Sequence, residues 1–244
     1  MISYGKTDIG MCRNMNQDCI FFSDKSIGNL PNLYIVADGM GGHQAGDYAS
    51  AHAVSWFVEY VRDCDYVNPI TIIKTGIAKV NDRLYQMSAE HSELRGMGTT
   101  FVAAVIVGNK LYVANVGDSR MYVVGDDIRQ ITLDHSLVEE LIRTGQLERR
   151  KVRFHPEKNI ITRALGTARE AVPDFFEVEL KDNEKLLLCS DGLTNMIEDD
   201  EIAMIINRNP HMDKCCEELI ERANYYGGKD NIGVVVVKQT VNEV

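Results

Sequence analysis

No two cysteines of this 244-residue chain stand in a C-x-x-C spacing, and no apolar run approaches the thickness of a bilayer. The cysteines (Cys12, Cys19, Cys64, Cys189, Cys215 and Cys216) therefore offer no paired-thiol motif. Four of them lie in apolar runs or on the apolar side of expected helices, where a thiol acts as a small hydrophobe, so reduced structural cysteines are expected. The longest apolar run, 101–107, falls far short of the roughly 18 residues of a spanning helix, so no membrane span is expected. Met1-Ile2-Ser3-Tyr4-Gly5-Lys6 shows neither a basic head before an apolar stretch nor an Arg-rich amphipathic pattern, so no secretion or transit signal is read and a cytoplasmic location is expected. Positive charge is in deficit: 26 Lys and Arg against 36 Asp and Glu give a formal net charge of -10, which opposes nucleic acid as a partner. With no Pro/Ser/Gly-rich linker, internal repeat or low-complexity segment, one domain over 1–244 is expected.

What is present is an ordinary globular balance, 45% apolar and 25% charged, enough to build a substantial core. Between 98 and 132 the pattern predicts strands at 99–107, 110–116, 119–124 and 128–132, broken by Gly108-Asn109 and Gly117-Asp118. Connections this short predict antiparallel neighbours, hence a meander. Further strands are expected at 19–23, 33–37, 185–190 and 232–238, several apolar at successive positions and so buried on both faces. Helical spacing of apolar residues predicts helices over 46–64 and 69–90, and two more over 199–207 and 213–225. Antiparallel strands with helices supplied in pairs point to an α+β fold of sheet layers covered by helices.

Position singles out four acids. Asp38 follows the run 34–37 and precedes Gly39-Met40-Gly41-Gly42; Asp191 follows 186–190 and precedes Gly192. Asp118 follows 113–117, and Asp230 with Asn231 stands between Gly227-Gly228-Lys229 and the strand at 232–238. A rigid sheet can aim strand-end carboxylates at one point, and glycine lets backbone approach that point closely. Carboxylates gathered so repel one another unless a cation neutralises them, and hard oxygen ligands without a Cys/His set suit Mg²⁺ or Mn²⁺ rather than zinc. A two-metal hydrolytic centre is the hypothesis, against the alternative that each Asp caps a turn.

Seven short strings then occur in order: 13–18 (Arg-Asn-Met-Asn-Gln-Asp), 36–43 (Val-Ala-Asp-Gly-Met-Gly-Gly-His), 98–100 (Gly-Thr-Thr), 116–120 (Val-Gly-Asp-Ser-Arg), 134–136 (Asp-His-Ser), 190–193 (Ser-Asp-Gly-Leu) and 229–231 (Lys-Asp-Asn). Together they resemble the bacterial branch of the protein phosphatase 2C family, metal-dependent serine/threonine phosphatases, over nearly the whole chain. The resemblance implies a four-layer αββα sandwich of two mainly antiparallel sheets, with two Mn²⁺ or Mg²⁺ ions per subunit and a weaker third. By the same resemblance Asp38 bridges both ions, the Gly39 carbonyl joins the second, Asp191 and Asp230 hold the first, and Asp118 shares a third with Asp191. Gln17, Asp18 and Asn231 stand behind these ligands. A metal-bridging water is implied as the in-line nucleophile, and Arg13, with its planar fork, as the phosphate clamp.

Two positions depart from the family pattern. Gln17 stands where glutamate is usual, which implies weaker binding of the second metal. Met40 stands where many eukaryotic members carry a histidine, which removes a general acid there. His43 is expected to order the glycine turn or the helix start instead. The segment 137–168, with Arg143, Arg149, Arg150, Lys151, Arg153 and Arg163, matches a mobile flap, and its basic rim is expected to attract phosphorylated, acidic segments. The expected activity is hydrolysis of phosphoserine and phosphothreonine in proteins phosphorylated by a bacterial eukaryotic-type kinase, performed by a monomer. The rivals are a non-catalytic phosphoprotein-binding module of the same fold and another two-metal phosphoester hydrolase, such as a nuclease.

Overall fold

The computed structural model describes residues 1–42 and 45–239 of the chain, and the reading of His43 lies outside them. One sheet consists of β1 (Ile2–Asp8), β11 (Ile232–Lys238), β10 (Lys185–Cys189), β7 (Arg120–Val124) and β8 (Ile128–Gln130), in that spatial order. The other runs β2 (Asp18–Ser23), β3 (Leu33–Met40), β5 (Phe101–Val107), β6 (Lys110–Val116) and β9 (Asp174–Glu179), with the short β4 (Gly98–Thr99) on the end of β3. Every pairing is antiparallel.

Side-chain alternation along each strand creates the layers. Tyr34 and Val36 of β3, with Val102 and Ala104 of β5, turn toward Met121, Val123, Leu186, Leu188 and Val235 of the opposite sheet and form the central core. Their neighbours Leu33, Ile35, Ala37, Phe101 and Ala103 point outward onto α1 (Ala45–Asp63) and α2 (Pro69–Glu90). On the other flank Tyr122, Leu187, Val234 and Val236 meet the one-turn α4 (Asp191–Thr194), α5 (Asp199–Arg208) and α6 (Met212–Tyr225). Both faces of both sheets are covered, which explains the unbroken apolar runs. The fold is the four-layer αββα sandwich.

The four long helices fall within a residue or two of their expected bounds. α2 begins on Pro69 after Asn68, whose side chain accepts from the Thr71 N–H at 3.0 Å, satisfying one of the donors that a helix start leaves open.

The expected meander is corrected. β5 and β6 pair, as do β7 and β8, but β6 and β7 belong to different sheets. From Val116 to Arg120 the chain takes four Cα steps, a reach of about 13 Å, which exceeds the ~10 Å between packed sheets. A short connection can therefore be an arch between layers as well as a hairpin. Gly117, at φ 110°, makes the bend, and a Cβ there would lie 2.6 Å from the Thr100 side chain. Sequence patterning also missed β1 and β9, which are edge strands with no fully buried position. It missed α3 (Leu137–Arg143) too, seven residues with only Val138 buried.

Candidate metal centre

At one end of the sheets, the ends of β3, β10 and β11, the β6–β7 arch and the 9–17 loop surround a cavity of about 240 Å³. Arg13, Gln17, Asp38, Gly39, Met40, Asp118, Asp191, Asp230 and Asn231 all line it. Asp18 is also buried, opposite Asp38 in the β2–β3 register. All nine residues named for the site thus converge, from five segments of the chain.

Hydrogen bonds to the backbone hold Asp38, Gly39 and the Gln17 segment. The Asp38 N–H donates to Thr100 Oγ1 at 2.8 Å, and its carbonyl accepts from the Thr100 N–H at 2.8 Å and Thr99 Oγ1 at 2.9 Å. The Gly39 N–H donates to the Gln17 carbonyl at 3.0 Å. A Cβ on Gly39 would stand 2.0 Å from the Gly46 carbonyl oxygen, and one on Gly46 would stand 2.8 Å from the Gly39 oxygen. Glycine at both positions is what lets the start of α1 pack directly on the end of β3. Asn231 clamps the Arg13 loop: its Oδ1 accepts from the Gln17 N–H at 2.8 Å, and its Nδ2 donates to the Ile9 and Met15 carbonyls, each at 2.9 Å. Gly192 packs so closely on Asn231 that a Cβ would fall 1.9 Å from the Asn231 oxygen, which brings Asp191 and Asp230 to the same end.

The electrostatics are those of acids out of water. Burial, reinforced by neighbouring carboxylates, pushes Asp18 up to about 7 and Asp191 up to about 6, and carries Asp38 and Asp118 well above the carboxylate range. Ser190 Oγ donates to Asp18 Oδ2 at 2.6 Å, but Asp18 Oδ1 is fully buried with no hydrogen-bond partner. Among the described residues the one side-chain cation in the ring is Arg13, half exposed, whose Nη2 reaches Asp230 Oδ2 at 2.7 Å. That hydrogen bond, more than the pull of Asp38 and Asp191, holds its guanidinium above its usual value.

Among the described residues, no three His, Cys, Asp or Glu side chains are drawn tightly enough together to hold an ion as they stand. The carboxylates instead line the cavity. An orphaned buried carboxylate oxygen and four carboxylates gathered on one cavity fit a hard divalent cation.

Asp118 and Asp191 also line a second hollow, of about 200 Å³, with Arg120, Asp134, Lys158 and Asn195. The arch carrying Asp118 is held by His135, whose N–H donates to the Gly117 carbonyl at 3.0 Å and whose Nδ1 accepts from the Gly117 N–H at 3.1 Å. Asp134 pairs with the buried Arg120 at 2.6 Å, and Ser136 caps α3. Residue-by-residue reading missed Asn195, whose Nδ2 donates to Asp191 Oδ2 at 2.8 Å while its Oδ1 accepts from Lys158 Nζ at 2.9 Å. Its position four residues after Asp191, one helical turn on, was the available signal.

The basic rim is corrected in part. Arg149 pairs with Glu139, Arg150 and Lys151 share Glu148, and Arg163 pairs with Asp174, so four of these positive charges face three carboxylates and the rim's charge is largely offset locally. The Arg153 side chain lies outside the described residues.

Comparison with known proteins gives the family. The profile of Protein phosphatase 2C matches residues 3–232. The chain belongs to the protein phosphatase 2C family. It is 40% identical over 244 residues to the serine/threonine phosphatase stp of Listeria monocytogenes serotype 4b, covering 98% of this chain and 96% of that one. The crystal structure of serine/threonine phosphatase Stp1 from Staphylococcus aureus superposes with a TM-score of 0.92 at 33% identity, covering 98% and 95%. The catalytic domain of the serine threonine protein phosphatase PstP, solved with 2 manganese ions, gives 0.85 at 30% identity, covering 96% of each chain. The match to the protein phosphatase 2C profile runs over almost the full length of the chain.

Proposed function

We propose that the chain is a Mn²⁺- or Mg²⁺-dependent phosphatase that removes phosphate from phosphoserine and phosphothreonine in proteins. The observation that carries this is the convergence of Asp38, Asp118, Asp191 and Asp230 on one cavity beside Arg13, with Asp18 Oδ1 buried and unpartnered behind them. Asp38 would be shared by two cations, the Gly39 carbonyl would serve one, Asp191 and Asp230 the other, and Asp118 a weaker third together with Asp191. When bound, the cations supply charge stabilisation at phosphorus and a water made nucleophilic at neutral pH. Arg13 stands half exposed at the cavity, tethered on one side to Asp230, and offers N–H donors to phosphate oxygens. Gln17, Asp18 and Asn231 hold the ligand-bearing segments in place. Met40 lines the cavity without a transferable proton, so no acid acts from that position.

The presence of every ligand-type residue disfavours a non-catalytic binding module, and the net charge of -10 disfavours a nuclease. The same reading makes the protein a single-domain, cytoplasmic, monomeric signalling enzyme that opposes a bacterial eukaryotic-type kinase. Residues 137–168 would act as a flap, linked to the centre through Lys158, Asn195 and Asp191. Among the described residues no helix is long and apolar enough to cross a membrane. The test is hydrolysis of phosphoserine, phosphothreonine and phosphotyrosine peptides with Mn²⁺ and then with EDTA; turnover that survives chelation overturns the proposal.

Arg13→Ala is expected to raise KM for phosphopeptides by about one to two orders of magnitude, the scale of a lost hydrogen bond to a charged group, with a smaller loss in kcat. Steady-state kinetics at saturating Mn²⁺ check this, and an unchanged KM and kcat would remove Arg13 from the phosphate site. Gln17→Glu adds a carboxylate to the cavity wall and is expected to lower the Mn²⁺ concentration for half-maximal activity several-fold, with little effect at saturation. A metal titration of activity decides it, and a higher requirement in the variant contradicts the idea.

A further inference from the structure

Beside the carboxylate cavity, between the first turns of α1 and the end of α2, lies a groove of about 850 Å³. Tyr48, Ala51 and His52 of α1, Met87 of α2, Leu94 and Met15 form its walls, and Asp47 and Glu93 also line it. One wall is fixed in advance. The Tyr48 and His52 rings stack with centroids 3.7 Å apart and 20° between planes, and His52 Nδ1 donates to the Tyr48 carbonyl at 2.8 Å. Trp56 meets His52 edge-on at 5.0 Å, and Arg83 of α2 lies over Trp56 at 3.8 Å. Rings already immobilised lose little freedom when a ligand packs on them.

The groove adjoins the carboxylate cavity through neighbouring residues of two segments. Met15, 37% exposed, is two residues from Arg13 and two from Gln17, which both line that cavity. On the other side Ala45 and Asp47 flank Gly46, whose backbone packs on Gly39 and Gln17. The segments at 15–17 and 45–47 are thus a common wall of the two hollows. An extended polypeptide advances about 3.3 Å per residue, so a chain with its phosphate beside Arg13 passes Met15 within two or three residues.

We propose that this groove is a specificity subsite that receives a large apolar side chain of the substrate, two or three residues from the phosphorylated serine or threonine. The proposal rests on the phosphoprotein phosphatase reading given above. Its apolar walls favour leucine-like side chains, and Asp47 and Glu93, the latter 3.6 Å from His91 on the same wall, disfavour glutamate at that substrate position.

The test is a panel of phosphothreonine peptides carrying leucine, alanine or glutamate in turn at the second and third residues on either side of the phosphothreonine, with kcat/KM measured in Mn²⁺. Leucine at one of these positions is expected to exceed alanine by about tenfold, with glutamate below alanine. Ala51→Glu and Met87→Glu are each expected to bring the leucine-to-alanine ratio to about one; taken within one preparation, the ratio is independent of the amount of folded enzyme. A wild-type ratio near one at all four positions, or a ratio that survives both substitutions, overturns the subsite and leaves the phosphatase reading standing. A flat panel with a dimer dissolved by Ala51→Glu on size-exclusion chromatography gives the groove to a second copy of the chain and likewise overturns it. Absence of hydrolysis of any peptide refutes the phosphatase reading, and the subsite with it.

Discussion

Asp38→Asn is expected to reduce turnover on phosphothreonine peptides by about two to four orders of magnitude while raising the melting temperature of the metal-free protein. The loss follows from position: Asp38 is the carboxylate that every other acid of the cavity faces, with Asp18, Asp191, Asp118 and Asp230 all acting on it. Removing one charge from a buried site that requires it costs about 3–5 kcal/mol, which in an activation barrier is about two to four powers of ten. The gain in stability follows from the same burial. Without metal, the folded state must either desolvate the Asp38 charge or hold a proton on it, and an amide of the same shape does neither. The Asn backbone can keep the bonds from its N–H to Thr100 and to its carbonyl from Thr99 and Thr100. Asp191→Ala should lose turnover equally, and it also strands the Asn195 amide. Thermal melts in EDTA, Mn²⁺ titration calorimetry and phosphopeptide kinetics on one preparation check this. A folded Asp38→Asn protein with wild-type turnover refutes the assignment, and a lowered metal-free melting temperature would make Asp38 a structural turn residue.

Asp38, Asp118 and Asp191 were legible in the sequence because each follows an apolar strand and adjoins a glycine, and Asp230 because it stands between Gly227-Gly228-Lys229 and an apolar strand, patterns set by local chain geometry. Their partners were harder to read. Thr100 supports Asp38 from 62 residues away, Asn231 ties down the Gln17 N–H from 214 residues away, and nothing in a linear pattern encodes either pairing. The strands buried on both faces were visible as apolar runs, whereas β1 and β9, edge strands with no fully buried position, carried almost no apolar signal. The β6–β7 arch was misread because a short loop sets only the distance between its ends. Whether those ends lie in one sheet or two is decided by what covers the strands: β6 packs between β5 and β9, and β7 between β10 and β8. That misreading bears on function, since the arch is what carries Asp118 to the end of the sandwich.

The metal-free protein is expected to lose stability as pH rises from about 4 to 7, and Mn²⁺ is expected to restore it. Asp18 and Asp191 titrate near 7 and 6 when folded, and Asp38 and Asp118 are also raised, all by burial. In the unfolded chain these groups release their protons near 3.9. Between those limits the native state binds more protons than the unfolded state, so the slope of unfolding free energy with pH is negative. Their stabilising contribution is complete below the unfolded value and is lost as pH climbs through the folded one. A cation reverses the sign because it requires the deprotonated carboxylates, so its stabilisation should grow over the same interval and vanish below about pH 5. At a hundred times the dissociation constant, binding adds about 2.7 kcal/mol, which for a chain of this size is roughly 5–10 °C in melting temperature. Thermal melts from pH 5 to 8, in EDTA and in millimolar Mn²⁺, separate the two curves. An EDTA curve that rises across this range would show that the cavity acids are already neutralised by the protein's own groups, and coincident curves would mean that no cation sits among them. A gap that widens with pH requires a bound cation in place of the protons these carboxylates give up, and a smaller gap in Asp38→Asn would place that cation against this side chain.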